Sequence, residues 1–180
     1  MILPLINVNV LGAAMTAYFY ITLRIASVLY MIPAAVSMSL LAEGSYTTEN
    51  LRGTIIKAIK FTFTILIPSM ILLFFFGDKI LTLFGKEYSK NALELTHIMI
   101  LSSIPISVCS LYLSLKRIQK NVKAIVYTTA SISLLVIGLS YILMEQMGLV
   151  GVGLAWFTGW SVVSATICVI TAKNWVHKGV

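Results

Sequence analysis

The chain has 180 residues, of which 59% are apolar (AVILMFWYC) and only 11% charged, with a net charge of +7 and a mean hydropathy of +0.97. A soluble domain needs about 25% charged residues to clothe its surface, so a water-soluble globular fold is excluded and an integral membrane protein remains. In lipid every backbone amide must be satisfied inside the protein, which makes the chain all-α: a polytopic membrane helix bundle with about five spanning helices, forming a single transmembrane domain over residues 1–180.

Residues Met1 to Leu11 are apolar but make at most about 16 Å of helix, too short to cross. They read as the tail of an earlier helix, or else as a short translocated N-terminus free of Lys and Arg. Helix A is expected from Gly12 to Ala42, bending at Pro33 and ending at Glu43-Gly44-Ser45. Helix B runs from Thr54 to Phe76 with a kink at Pro68, and stops at Gly77-Asp78-Lys79. Helix C covers Ala92 to Leu115 around Pro105 and is followed by Lys116-Arg117. Helix D, Ala124 to Met144, meets helix E, Gly151 to Ala172, at a tight joint formed by Met147-Gly148-Leu149. Gly151, Ala155 and Gly159 recur every four residues on helix E. Such a small-residue stripe suits close packing, either within the chain or against another. Cys109 and Cys168 lie in separate apolar runs and read as small buried hydrophobes rather than a disulfide.

Five spans place the A–B connection, the C–D connection and the C-terminal tail on one side. That side carries Arg52, Lys57, Lys60, Lys116, Arg117, Lys120, Lys123, Lys173 and Lys178 of the 13 Lys and Arg residues, and the other side only Lys79, Lys86 and Lys90. The bias predicts a cell (cytoplasmic) membrane protein with its C-terminus cytoplasmic and its N-terminus outside. Trp175 and Lys178 are expected at the inner headgroups, Tyr18 and Tyr20 at the outer ones. Basic residues that flank spans contact lipid headgroups, which accounts for the charge of +7 without nucleic acid. With Asp78 as the single aspartate and only His97 and His177, no triad or metal site fits the spacing, and there is no Walker-type loop. The chain is therefore expected not to be an enzyme and to need no cofactor or metal.

Three stretches carry a family likeness. They are YFYITLRIASVLYMIPAAVSMSL from Tyr18 to Leu40, ILTLFGKEYSKNALEL from Ile80 to Leu95, and MGLVGVGLAW from Met147 to Trp156. Phe84-Gly85-Lys86-Glu87-Tyr88 within the second matches a hinge ahead of the next helix, and the third a Gly-rich opening of the last helix. In this order and spacing the chain resembles the C-terminal lobe of the polysaccharide flippases, in the multidrug/oligosaccharidyl-lipid/polysaccharide exporter superfamily. It departs from that pattern at Ala42-Glu43-Gly44, where the family often has a proline, and at Leu115-Lys116-Arg117, which replaces a glycine before a basic residue. The resemblance implies that helices A to E are the last five of a six-helix lobe. The chain would then be one part of a two-lobed carrier whose N-terminal lobe is missing. The implied function is to move a lipid-linked oligosaccharide or polysaccharide precursor across the bilayer by alternating access.

Arg24 is the one basic residue well inside an expected span, in the outer half of the bilayer. A charge there costs at least about 2.5 kcal/mol by insertion scales, so it faces a partner or a wet cavity. Tyr20 and Ser27 share its helix face. As substrate-binding residues, Arg24, Tyr20 and Ser27 would offer a forked guanidinium and a polar stripe to a diphosphate or an acidic sugar. The other reading has Arg24 snorkelling to the outer headgroups. Glu94 and His97, one turn apart near the outer end of helix C, are candidates for ion coupling. Alternatively Glu94 is an anion favoured by the dipole of a first turn, and His97 simply reaches interfacial water. Two other functions stay open. One is a drug or metabolite exporter of the same superfamily; for a cationic drug it should offer intramembrane carboxylates, and only Glu94 comes near. A non-transporting membrane assembly protein would make Arg24 dispensable.

Overall fold

The computed structural model of the chain describes residues 3–46 and 51–177, with side chains for residues 12–44 and 52–173. The described residues are almost wholly helical and contain no strand. The helices are α1 (Leu3–Tyr46), α2 (Leu51–Phe84), α3 (Lys86–Leu101), α4 (Ser103–Ile118) and α5 (Val122–His177). The expected headgroup roles of Trp175 and Lys178 fall outside the described side chains.

Two of these helices contain a break. At Gly12 the backbone leaves the helix (φ 85°, ψ 171°), which separates residues 3–11 from the span that follows. In α5 the break is at Gly148 (φ 59°, ψ −132°), a combination that only glycine adopts without strain. This break reverses the chain. A Cβ added at Gly151 would lie 2.1 Å from the carbonyl oxygen of Leu143, and one at Gly159 would lie 2.6 Å from Val136 Cγ2. Along a straight helix those pairs would stand about 12 Å and about 35 Å apart. The two arms of α5, residues 122–147 and 149–177, therefore form an antiparallel hairpin. Among the described residues, four helical stretches are long and apolar enough to cross a membrane. The last of them folds back on itself, giving the five membrane-length segments expected, with the joint at Met147-Gly148-Leu149.

Several expected boundaries differ. Helix A continues through Glu43-Gly44-Ser45 to Tyr46, and helix B continues through Gly77-Asp78-Lys79 to Phe84. A glycine inside a helix costs only about 1 kcal/mol, which packing against a neighbour outweighs. Gly77 is buried, and a Cβ there would meet Thr96 Cγ2 of α3 at 3.9 Å. The chain turns instead at Gly85 (φ 132°), within the Phe84-Gly85-Lys86-Glu87-Tyr88 stretch. Helix C accordingly begins at Lys86 rather than Ala92, and it is interrupted at Ser102 between α3 and α4. Pro105 explains the interruption, because it has no N–H to offer the Leu101 carbonyl. Cys168 is exposed, contrary to expectation, while Cys109 is buried as expected.

α1 together with α3 and α4 forms the middle of the bundle, with α2 on one flank and the α5 hairpin on the other. Among the described residues α2 and α5 do not touch. Three packing layers fix the vertical register. Ile25 meets Leu81 and Ala92, Leu29 meets Leu66 and Ile100, and Leu40 meets Ala58 and Leu111. Hydroxyls tie α1 to α3 and α4 along this whole register: Thr22 to Thr96 at 3.2 Å, Tyr30 to the Met99 carbonyl at 2.8 Å, and Ser37 to Ser110 at 3.1 Å. Bonds of this kind between membrane helices contribute on average about 0.6 kcal/mol each, so they set register more than stability. The small-residue stripe is used inside the chain. Gly151 and Gly159 pack against the first arm of α5, and Ala155 between them is fully buried.

Candidate functional site

α1 touches every other helix, yet one of its faces stays bare. Phe19, Thr22, Ala26, Leu29, Pro33, Ser37 and Leu40 face inward and are buried. Tyr20, Arg24, Val28, Met31, Ala35, Ser39 and Glu43 follow one another at helical spacing and are all exposed. The exposed face of α2 is chemically different, with Phe61, Ile67, Ile71, Leu72, Phe74 and Phe75. Large aliphatic and aromatic groups of that kind suit lipid chains. The α1 face carries a cation at one end, an anion at the other, and small or flexible side chains between them.

Tyr20 and Arg24 lie on this exposed face of α1, with Ser27 half-buried at its margin. The Ser27 hydroxyl donates to the Arg24 carbonyl at 2.6 Å. Its hydrogen is therefore used on the helix backbone, and only its oxygen lone pairs remain for a ligand. The Arg24 side chain is exposed and has no hydrogen bond or ion pair among the described residues. Its level in the bundle follows from the packing. The layer that holds Ile25 also holds Leu81 and Ala92, so Arg24 is level with the charged stretch from Asp78 to Lys90. There the Tyr18 ring meets Tyr88 edge-on at 4.8 Å, and the Ser89 hydroxyl donates to the Asp78 carboxylate. Residues 25–42 of α1, 61–77 of α2 and 98–115 of α3–α4 carry no charge, about 25–27 Å in each case. Arg24 thus stands at the end of the charge-free zone that these helices share, 12 residues into the Gly12–Gly44 span.

Glu94 and His97 do not meet. Because α3 begins at Lys86, Glu94 lies in its third turn, and the acidic residue of the first turn is Glu87. The dipole argument therefore belongs to Glu87. Glu94 is exposed, and the half-buried His97 ring stacks on Phe74 at 4.1 Å with 22° between planes. No hydrogen bond joins Glu94 to His97 among the described residues. No group of His, Cys, Asp and Glu able to hold a metal occurs among them either.

One part of this face was not singled out in the sequence. At its Glu43 end a cavity of about 390 Å³ opens between α1 and α2, lined by Ala35, Ser39, Glu43, Thr54, Lys57 and Phe61. Continuing the helical spacing from Arg24 through Met31 and Ala35 would have reached Glu43, had helix A not been ended there.

The family model described as MatE matches residues 2–142, from α1 into the first arm of α5. No curated protein and no solved structure matches the chain. Members of the matched family are transporters. With a helical membrane bundle on one side and a match over more than half its length on the other, the chain belongs to the MatE family, in the multidrug/oligosaccharidyl-lipid/polysaccharide exporter superfamily.

Proposed function

We propose that the chain is one lobe of a flippase that moves a lipid-linked oligosaccharide or polysaccharide precursor across the cytoplasmic membrane, with the bare face of α1 lining the path. The observation that carries this reading is the exposed Arg24, unpaired among the described residues and level with the charged stretch from Asp78 to Lys90, beside Tyr20 and Ser27. A lipid-linked saccharide keeps its tail in the bilayer and its phosphates at headgroup depth, which is the depth of Arg24. A forked guanidinium grips such phosphates bidentately. A second lobe would close the other side of the path, as alternating access requires. A cationic-drug exporter is less well supported, because the one cation on this face repels such a substrate.

Arg24 provides the test. In a transport assay normalised to membrane abundance, Arg24→Lys keeps the charge, loses the fork, and is expected to lower transport about tenfold. Arg24→Ala loses a charge-assisted bond as well and should lower it by roughly a hundredfold, at about 1.5–3 kcal/mol per interaction. Wild-type transport by Arg24→Lys would favour simple snorkelling, since a flexible ammonium reaches headgroups as easily. Wild-type transport by Arg24→Ala would remove the residue from the site.

The excess of Lys and Arg at the end bearing the α4–α5 connection supports placing that end in the cytoplasm. Lys86 and Lys120 are both exposed, at opposite ends of the bundle. In a background lacking Cys109 and Cys168, a cysteine replacing Lys86 is expected to react with an impermeant thiol reagent on intact cells. One replacing Lys120 is expected to react only after the membrane is opened. The reverse pattern would invert the orientation.

A further inference from the structure

Because α2 and α5 do not touch, they leave a crevice between them with α4 as its floor. The crevice is a groove of about 400 Å³ at the basic end of the bundle, walled by Ile55, Ile59 and Phe63 of α2, floored by Leu111 and Leu115, and closed by Ile167 of α5. Ile59 and Cys168 at its rim are exposed on the flank of the bundle. From Ile55 to Phe63 the groove follows the bundle axis for about 12 Å, close to the roughly 15 Å depth of one leaflet of hydrocarbon. No carboxylate lines it.

Its mouth is cationic. Arg52 stands three residues before Ile55, on the same face of α2 as Ile55, Ile59 and Phe63. Tyr112 also lines the groove, and the Lys116 ammonium sits 5.3 Å above its ring. That ammonium donates to Gln119 Oε1 at 2.9 Å and keeps two further hydrogens for another acceptor. The α4–α5 connection adds Arg117, Lys120 and Lys123 at the same end.

We propose that this groove holds one acyl chain of an anionic phospholipid from the adjoining leaflet, with the lipid phosphate between Arg52 and Lys116. The charge of the mouth argues for this occupant. The apolar walls accept any acyl chain equally, whereas the cluster of Arg52, Lys116, Arg117, Lys120 and Lys123 at this end prefers a headgroup with net negative charge. The site lies on the far flank of the bundle from the bare face of α1 and stands independently of what is transported.

The test uses the full chain in detergent, offered equal amounts of phosphatidylglycerol and phosphatidylcholine and examined by native mass spectrometry. One phosphatidylglycerol should be retained in preference. Arg52→Gln and Lys116→Gln should each lower that retention about fivefold. Ile59→Trp and, separately, Cys168→Trp fill the groove from its exposed rim and should abolish retention, while helix content and elution volume stay those of the parent. Equal retention of the two lipids would overturn the proposal. So would retention that survives both tryptophan variants. Preferential retention of an isoprenyl phosphate in the same competition would overturn it too, assigning the groove to a substrate tail instead.

Discussion

Gly151→Ala is expected to abolish the folded bundle, although it adds a single methyl group. That methyl would lie 2.1 Å from the Leu143 carbonyl oxygen, 2.6 Å from its carbon and 3.1 Å from the Met144 nitrogen. All three are backbone atoms of the opposing arm, so no side chain can turn aside and the hairpin has to open. Overpacking that side chains can absorb costs about 1–3 kcal/mol, and this contact exceeds that range. Two other glycines on the same arm grade the effect. At Gly159 the new Cβ meets Val136 Cγ2 at 2.6 Å with backbone behind it at 3.3 Å, so Gly159→Ala should destabilise by about 1–3 kcal/mol. At Gly153 the close contact is with the tip of the Leu95 side chain, at 2.5 Å, and Ile98 Cγ2 stands at an ordinary 3.5 Å. Gly138 has nothing within 4 Å, and Gly138→Ala should leave stability unchanged or raise it by up to about 1 kcal/mol through helix propensity. Thermal unfolding followed by fluorescence-detected size exclusion measures the series. A Gly151→Ala protein as stable as the parent would show that the α5 arms do not pack as a hairpin.

Leu72→Lys and Met31→Lys are expected to have opposite outcomes despite equal chemistry. Leu72 is 57% exposed near the middle of the charge-free part of α2, and Met31 is 69% exposed near the middle of that of α1. A lysine on a lipid-facing helix centre costs about 2.5–3.5 kcal/mol on insertion scales. Leu72→Lys should therefore cut the folded amount in the membrane by roughly a hundredfold. On the proposed reading the α1 face borders a wet path closed by a second lobe, where the ammonium stays hydrated. In membranes that also hold that lobe, Met31→Lys should leave abundance within about twofold of the parent. Equal losses would mean that both faces look onto lipid, and the path would have to lie elsewhere.

Much of the architecture was legible in the chain itself. Whether a segment enters a bilayer is decided locally, by its own apolar side chains and its own backbone hydrogen bonds. Hydropathy along the chain therefore located the five segments, and the Met147-Gly148-Leu149 joint followed from one glycine between two such runs. The hinge at Gly85 was reached through the family resemblance, whereas the local signals placed the stop at Gly77-Asp78-Lys79. Positions that depend on a neighbour were not legible. Gly77-Asp78-Lys79 reads as a stop, but Gly77 lies under Thr96 of α3 and the helix runs on.

Three features of the site were settled only by packing between residues far apart in the chain. Ile25 shares a layer with Leu81 and Ala92, and this register alone sets Arg24 level with the charged stretch from Asp78 to Lys90. The His97 ring finds Phe74 of α2 rather than Glu94 of its own helix. The stripe of Gly151, Ala155 and Gly159 could equally have met another chain, until the reversal at Gly148 laid it against Leu143 and Val136. The sequence by itself determined that this is a five-segment helical membrane protein with one cation facing out of α1, because composition and helical spacing are properties of a single helix. The depth of that cation, and which side chains share its surroundings, were decided only by the tertiary structure, because they depend on how far each helix slides along the next before its side chains interlock.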